Sequence, residues 1–379
     1  MHHVWLFSRS IDLCVLGMPV WTTWAICFAL PEHVIESDLP LWVWAVFIVG
    51  IDVSHVWSTL FRTYLDREEF GSHRDLLLRT PLLAFAFFFV VASFSSLWFW
   101  RVMAYLALFH FVKQQYGFFA LYRGRFRFKP PCKIFGDTKV IYLAMIYPVA
   151  YWHFAVDRSF DWFVSGDFIS LHSLVGVDAE FAALLALCGN ILYWIIIVAW
   201  CIEEIYVSRR YGVEVPVGKM LWLLTTAGNW YLGIVHFNSD IVFSLTNVIA
   251  HGVPYLALIF FYVEKKSTPP EGVIKSLYER IKTGPKHFWA AVGLQISLDV
   301  LFSLAFLIIA AARVMIWYSL NVLWSAILGC ALLGDVLPRR TIVTCIFALG
   351  CIAMVFGPEL ATKKGREGSP WGDLAAIYV

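Results

Sequence analysis

Long apolar blocks, separated by short polar stretches, run from one end of the chain to the other. They fall at 11–30, 41–64, 81–100, 102–121, 140–156, 180–206, 219–237, 240–263, 288–311, 314–334 and 341–357. A hydrocarbon core about 30 Å thick takes roughly 20 helical residues to cross. Backbone groups in lipid must be satisfied within their own segment, so runs of this length predict helices. The short alternating segments of a membrane barrel are absent. The pattern predicts an all-α, polytopic transmembrane bundle of about 11 spans (10–12).

Several junctions can be read locally. A tight turn is expected near Trp98–Arg101. The tetrapeptide F-N-S-D at 237–240 is expected to join the seventh and eighth spans, with Asn238 or Ser239 as N-cap and Asp240 in the first turn. Proline lacks an amide hydrogen, so Pro254 in H-G-V-P (251–254) predicts a kink and a freed carbonyl at Ala250. The first block is too long for a secretory signal core and no small-residue cleavage site follows it, so it reads as a retained span.

Polar residues inside the blocks are not scattered. Asp52, His55, Thr59, Arg62 and Asp66 recur at steps of three and four. His110 and Gly117 each lie three and four residues from the adjacent pair Lys113 and Gln114. Thr226, Asn229, Gly233 and His236 recur at the same steps, as do Asp240, Ser244, Asn247 and His251. Steps of this size share one helix face. Four such seams are expected to face one another, because polar groups facing lipid are costly. Gln115 and Tyr116 flank the second seam, and Gly117 is expected to admit a neighbouring helix. At 1.5 Å per residue, His55, His110 and His251 lie about 21, 14 and 17 Å from the outer ends of their spans, close to the bilayer middle. His153, His172, His236 and Asp240 form a tier nearer the outer mouth. Arg62, Asp66, Glu203 and Glu204 mark the other end, with Arg209 and Arg210 expected to neutralise the glutamates.

Charge then orients the chain. Most of the 29 lysines and arginines fall on the side of the N-terminus, including R-G-R-F-R-F-K at 123–129. The N-terminus is therefore expected to be cytoplasmic, in a multi-pass protein of the cell (inner) membrane. A single integral-membrane domain, 1–379, is expected to carry three appendages. An aromatic outer-face cap occupies 157–179. An amphipathic cytoplasmic linker at 264–286 sets Val273, Leu277 and Ile281 against Lys275, Glu279, Arg280 and Lys282. A flexible tail follows at 358–379.

Composition adds little but excludes something. The chain is 60% hydrophobic and 15% charged, with mean hydropathy +0.72 and net charge +2. That balance leaves a nucleic-acid partner without support. The eight cysteines lie mostly inside apolar blocks with no C-x-x-C pair, as small buried hydrophobes do.

Three imidazoles and a carboxylate at one depth make a workable metal site. Imidazole suits iron, zinc and copper, and few protein ligands leave open positions. The expected ligands are His55, His110 and His251, with Asp52 as ligand or orienter and His236 and Asp240 in reserve. Lys113, Gln114, Tyr116, Asn229 and Asn247, with Asp52, complete the expected catalytic set, the three amides orienting imidazole N–H groups. The expected cofactor is non-haem iron, one or two ions, with haem between His110 and His251 second. The expected chemistry is oxidation, cleavage or desaturation of a membrane lipid, isoprenoid or other hydrophobic small molecule, served by a redox partner. The clustered histidine boxes of membrane desaturases are absent. Histidines spread over several helices give a layout that resembles the membrane carotenoid-cleaving dioxygenases, with no motif shared. Two alternatives stand beside this reading. One is a proton-coupled transporter using the His/Asp/Lys seam. The other is a metal-independent lipid transferase with His251 or His110 as base and the 123–129 run holding an anionic head group or acyl carrier.

Overall fold

The computed structural model describes residues 4–35, 40, 43–64, 66–126, 128, 133–154, 162–171, 176 and 178–265. Among them there is no strand. The helices are α1 (Arg9–Ala29), α2 (Glu32–Ile35), α3 (44–62), α4 (Arg67–Ser72), α5 (Arg74–Phe94), α6 (Ser96–Phe126), α7 (Asp137–Phe154), α8 (Ala179–Arg210), α9 (217–236) and α10 (Asp240–Lys265). Four of these, α1, α5, α8 and α10, are long and apolar enough to cross a membrane. The blocks at 288–311, 314–334 and 341–357, most of the 264–286 linker and the 358–379 tail lie outside the described residues, as does His172.

The chain divides into two compact units, 1–47 with 75–257 and 48–74 with 258–379. In the first unit α7 packs against α6, α8 and α9. Tyr193 on α8 donates its hydroxyl to the carbonyls of Ala144 on α7 and Ala227 on α9, both at 3.0 Å. Hydroxyl-to-carbonyl bonds of this kind tie helices together where lipid offers no alternative partner. On α1, Trp21 and Trp24 donate indole N–H groups to Thr225 (3.0 Å) and Asn229 (3.1 Å) of α9. Asp12, buried in a π-helical turn of α1, accepts the amides of Leu6 and Phe7 and the hydroxyl of Tyr122. The segment before α1 is thereby pinned to α6.

Burial differs sharply between helices. In its most apolar window 67% of α10 is buried, against none of α5. Helix α10 is thus a core element carrying polar groups inward, and α5 presents apolar side chains on every side. The α5–α6 junction falls at Ser95, not at the expected Trp98–Arg101, which lies inside α6. The serine explains the shift: its side chain accepts the amide of Trp98, capping α6 there. At the α9–α10 corner Ser239 is the N-cap, accepting from Val242, and it donates to the carbonyl of Ile35. Asn238 supplies the turn with φ of 49°.

The two seam glycines part company. A Cβ on Gly233 would lie 2.9 Å from the Cα of Phe243, so α9 and α10 approach there because no side chain intervenes. Around Gly117 there is no such approach; nothing described lies within 4 Å. Cys27 is buried, as expected of a small hydrophobe, whereas Cys14 and Cys188 are exposed.

Candidate functional site

Within the first unit the site begins at Pro254. Without an amide hydrogen at 254, the carbonyl of Ala250 has no partner one turn on in α10. Gln115 of α6 takes it, donating Nε2 at 3.1 Å, while its Oε1 accepts the hydroxyl of Thr226 on α9 at 3.0 Å. The next carbonyl, that of His251, accepts Nε2 of Gln114 at 2.7 Å. Two consecutive glutamines therefore clamp two consecutive carbonyls at the proline. Gln115 is 4% exposed, and its own carbonyl accepts the indole of Trp222. A polar residue beside the seam, not on it, bridges α6, α9 and α10.

The clamp fixes the backbone that carries His251. This imidazole is 1% exposed, and its Nδ1 lies 2.6 Å from the carbonyl of Asn247. A carbonyl only accepts, so Nδ1 carries a proton, and in the neutral form of the ring the lone pair is at Nε2. That is the tautomer a metal ligand needs, set by a backbone acceptor. The ring of His110 stands edge-on to it at 6.0 Å between centroids, and Phe111 packs at 4.1 Å. His110 itself is exposed, contrary to the expectation that its whole seam turns inward. The buried face of α6 runs through Ala104, Leu108, Val112, Gln115 and Phe119, one position away from the polar seam.

The remaining candidates are dispersed. Lys113 is exposed and donates to the hydroxyl of Tyr142 at 3.3 Å; Tyr116 stacks on that ring at 5.1 Å. Asn247 bonds back to the carbonyl of Phe243 in its own helix, and Asn229 accepts from Trp24. None of the three amides meets an imidazole nitrogen through a described bond. His236 lies among Phe28 and Phe237 at the α9–α10 corner. Asp240 accepts from Ser244, and 11 residues separate it from His251, about 16 Å along α10. The reserve pair therefore belongs to the other end of that helix.

The second unit holds Asp52 and His55, with the carboxylate 3.4 Å from Nδ1 and His55 2% exposed. Residues 44–53 are π-helical, and α3 ends at Arg62 in a 3-10 turn. Asp66 is consequently not the last member of the α3 seam. It is the N-cap of α4, accepting from Glu68 and Glu69, and its other oxygen accepts the hydroxyl of Tyr262.

Two clusters lie away from the expected set. In the aromatic loop, Asp167 is fully buried and accepts the amides of Trp162, Phe163 and Val164. Arg101 donates to Gly166, and Ile169 donates to the hydroxyl of Tyr105. These bonds dock 162–171 on α6. Tyr105 in turn lies 2.7 Å from Nε2 of His153. At the opposite end, Lys133 and Lys219 each contact both Asp137 and Glu204. Glu203 accepts the amides of Ile134 and Phe135. The lysines, not the expected Arg209 and Arg210, neutralise this end, because the segment leading into α7 and the first turn of α9 bring them there. Comparison of the chain with protein-family models, with curated proteins and with solved structures returns no match. The apolar helices mark it as a helical membrane protein on length and composition.

Proposed function

We propose that the chain is an integral-membrane enzyme in which His110 and His251 ligate a metal ion, with non-haem iron the favoured metal. The observation that supports this is the fixed tautomer of His251, whose lone pair at Nε2 lies on the ring that His110 approaches. With metal–nitrogen bonds of about 2.1 Å, two imidazoles on one ion have centroids roughly 4.5–5.5 Å apart at ligand angles of about 90–120°. The 6.0 Å separation is about 0.5–1.5 Å wider than that, a distance a small shift of either ring closes. His55, with Asp52 beside it, joins the proposal as a third ligand on its depth in the sequence alone. An iron held this way supplies oxygen-dependent oxidation, cleavage or desaturation, and the substrate class is a lipid or isoprenoid reached from the bilayer. The chain's own residues orient the ligands: Asn247 through its carbonyl, and Gln114 and Gln115 by holding the α10 backbone at the proline.

The proposal extends to about eleven spans with a cytoplasmic N-terminus in the cell membrane, resting on span length and the lysine and arginine bias. A proton relay gains less support, since Lys113 turns to Tyr142 and Tyr116. Metal analysis of the purified protein tests the reading. Stoichiometric iron that disappears in His251→Ala and His110→Ala is the expected result. Wild-type protein that binds no transition metal after iron reconstitution overturns it.

A further inference from the structure

The basic end of the first unit holds a cavity remote from the histidines. The C-terminal halves of α6 and α8 and the first turns of α7 and α9 enclose about 420 Å³, lined by Arg123, Phe126, Lys133, Asp137, Glu204 and Lys219 among others. Ligand pockets commonly fall in this size range. Asp137 and Glu204 are both engaged by both lysines, so the four charges form a closed, alternating, neutral ring. Burial pulls Lys133 down, but Asp137 and Glu204 more than offset it and hold the ammonium above its ordinary value. Burial pushes Asp137 up, yet Lys219 and Lys133 hold its carboxyl well below the usual carboxylate range. Lys133 and Asp137 therefore stay ionised around neutral pH.

Arg123 is left over. Its guanidinium stands at the exposed rim, and its one described hydrogen bond goes to Thr138 at 3.0 Å. A guanidinium has five N–H donors and an ammonium three. Each lysine uses two on the carboxylates and also lies over an aromatic ring, so the spare donors at the cavity are chiefly those of Arg123, and its lining carries a net charge of one positive. An entering cation would meet carboxylates already engaged; an entering anion meets spare donors. Phe126, Phe128 and Val207 form the apolar part of the wall, which strengthens attraction to a charge held there. Ion pairs buried only to hold helices together contribute little net stability and need no space beside them.

We propose that this cavity binds a phosphate group, carried either on an anionic lipid head group or free in the aqueous phase. Arg123 grips it in the forked geometry that suits phosphate, and Lys133 and Lys219 complete the shell.

The test uses the full-length protein purified in detergent. Inorganic phosphate is titrated calorimetrically at constant ionic strength against chloride. Saturable binding is expected, weakened at least about tenfold in Arg123→Ala and by less than about threefold in Arg125→Ala. Arg125 is exposed on the same helix but does not line the cavity, so it matches the charge change without touching the site. Repeating the titration in nanodiscs with and without phosphatidic acid separates the sources. Competition by the lipid assigns the site to a head group, and its absence assigns the site to soluble phosphate. The proposal is overturned if phosphate does not bind saturably in detergent or nanodiscs, or if both arginine variants weaken it equally.

Discussion

Replacing Gln115 by leucine tests whether the α10 proline is stabilised from outside its own helix. Leucine keeps the bulk and removes the amide. Two buried groups then lose a partner: the Ala250 carbonyl and the Thr226 hydroxyl. A buried polar group left unmade costs about 1–3 kcal/mol. The threonine can turn its hydroxyl to a carbonyl of its own helix, so most of the loss falls on Ala250. Interhelical bonds measured within membranes average about 0.6 kcal/mol and reach about 1.7. The expected cost is therefore about 1–2 kcal/mol. The decisive comparison is the double-mutant cycle with Pro254→Ala. Alanine restores an amide hydrogen at 254, which can bond the Ala250 carbonyl within α10. In that background Gln115→Leu loses much of its effect, giving a coupling of about 1 kcal/mol. Unfolding titrations in mixed micelles of the four proteins supply the numbers. Equal cost of Gln115→Leu in both backgrounds, within about 0.3 kcal/mol, would refute the link between glutamine and proline.

Gly233→Ala should destabilise by about 1–3 kcal/mol through the clash with the Phe243 backbone, whereas Gly117→Ala should be neutral or slightly stabilising; melting temperatures in detergent compare the two. Glu204→Gln leaves Lys133 and Lys219 sharing one carboxylate, so a loss of about 3–5 kcal/mol is expected in the same unfolding titration, and a neutral result would mean the ring is not buried as described. The pH dependence of the ring has a fixed sign. Asp137 is depressed, so its contribution is complete above its unfolded value near 3.8 and is lost as pH falls through the folded value; Lys133 is raised, so its contribution is complete below 10.5 and is lost as pH rises through its folded value. The melting-temperature difference between wild type and the Lys133→Met, Asp137→Asn double variant should hold constant from about pH 5 to 9 and shrink below that window. His251→Ala should lose bound iron, whereas His236→Ala, in the aromatic corner, should retain it, as read by metal analysis.

Much of the helical layout was legible from the sequence because apolar length is a local property. The eight blocks before 264 each correspond to a helix, with shifts of several residues at α5 and α6 where Ser95 supplies a cap. The Pro254 argument was equally local: a missing amide hydrogen frees one named carbonyl wherever the helix sits. The F-N-S-D corner followed from serine's capping chemistry and asparagine's tolerance of positive φ. What answers the freed carbonyl is not local. Gln114 and Gln115 are neighbours in sequence, and only the packing of α6 against α9 and α10 gives Gln115 the interior and leaves His110 and Lys113 exposed. Periodicity groups polar residues on a face but does not say which way that face turns, nor that a π-helical stretch alters the register, as at 44–53. The ring of Lys133, Asp137, Glu204 and Lys219 escaped the sequence for a related reason. Its bonded members are separated by up to 82 residues along the chain, and charges at span ends read as interfacial until the helix ends are brought together. Sequence alone determined the solvent this chain is built for and where its helices run; tertiary structure alone decided which polar groups meet, because partnership depends on helix rotation and contact, which no single helix encodes.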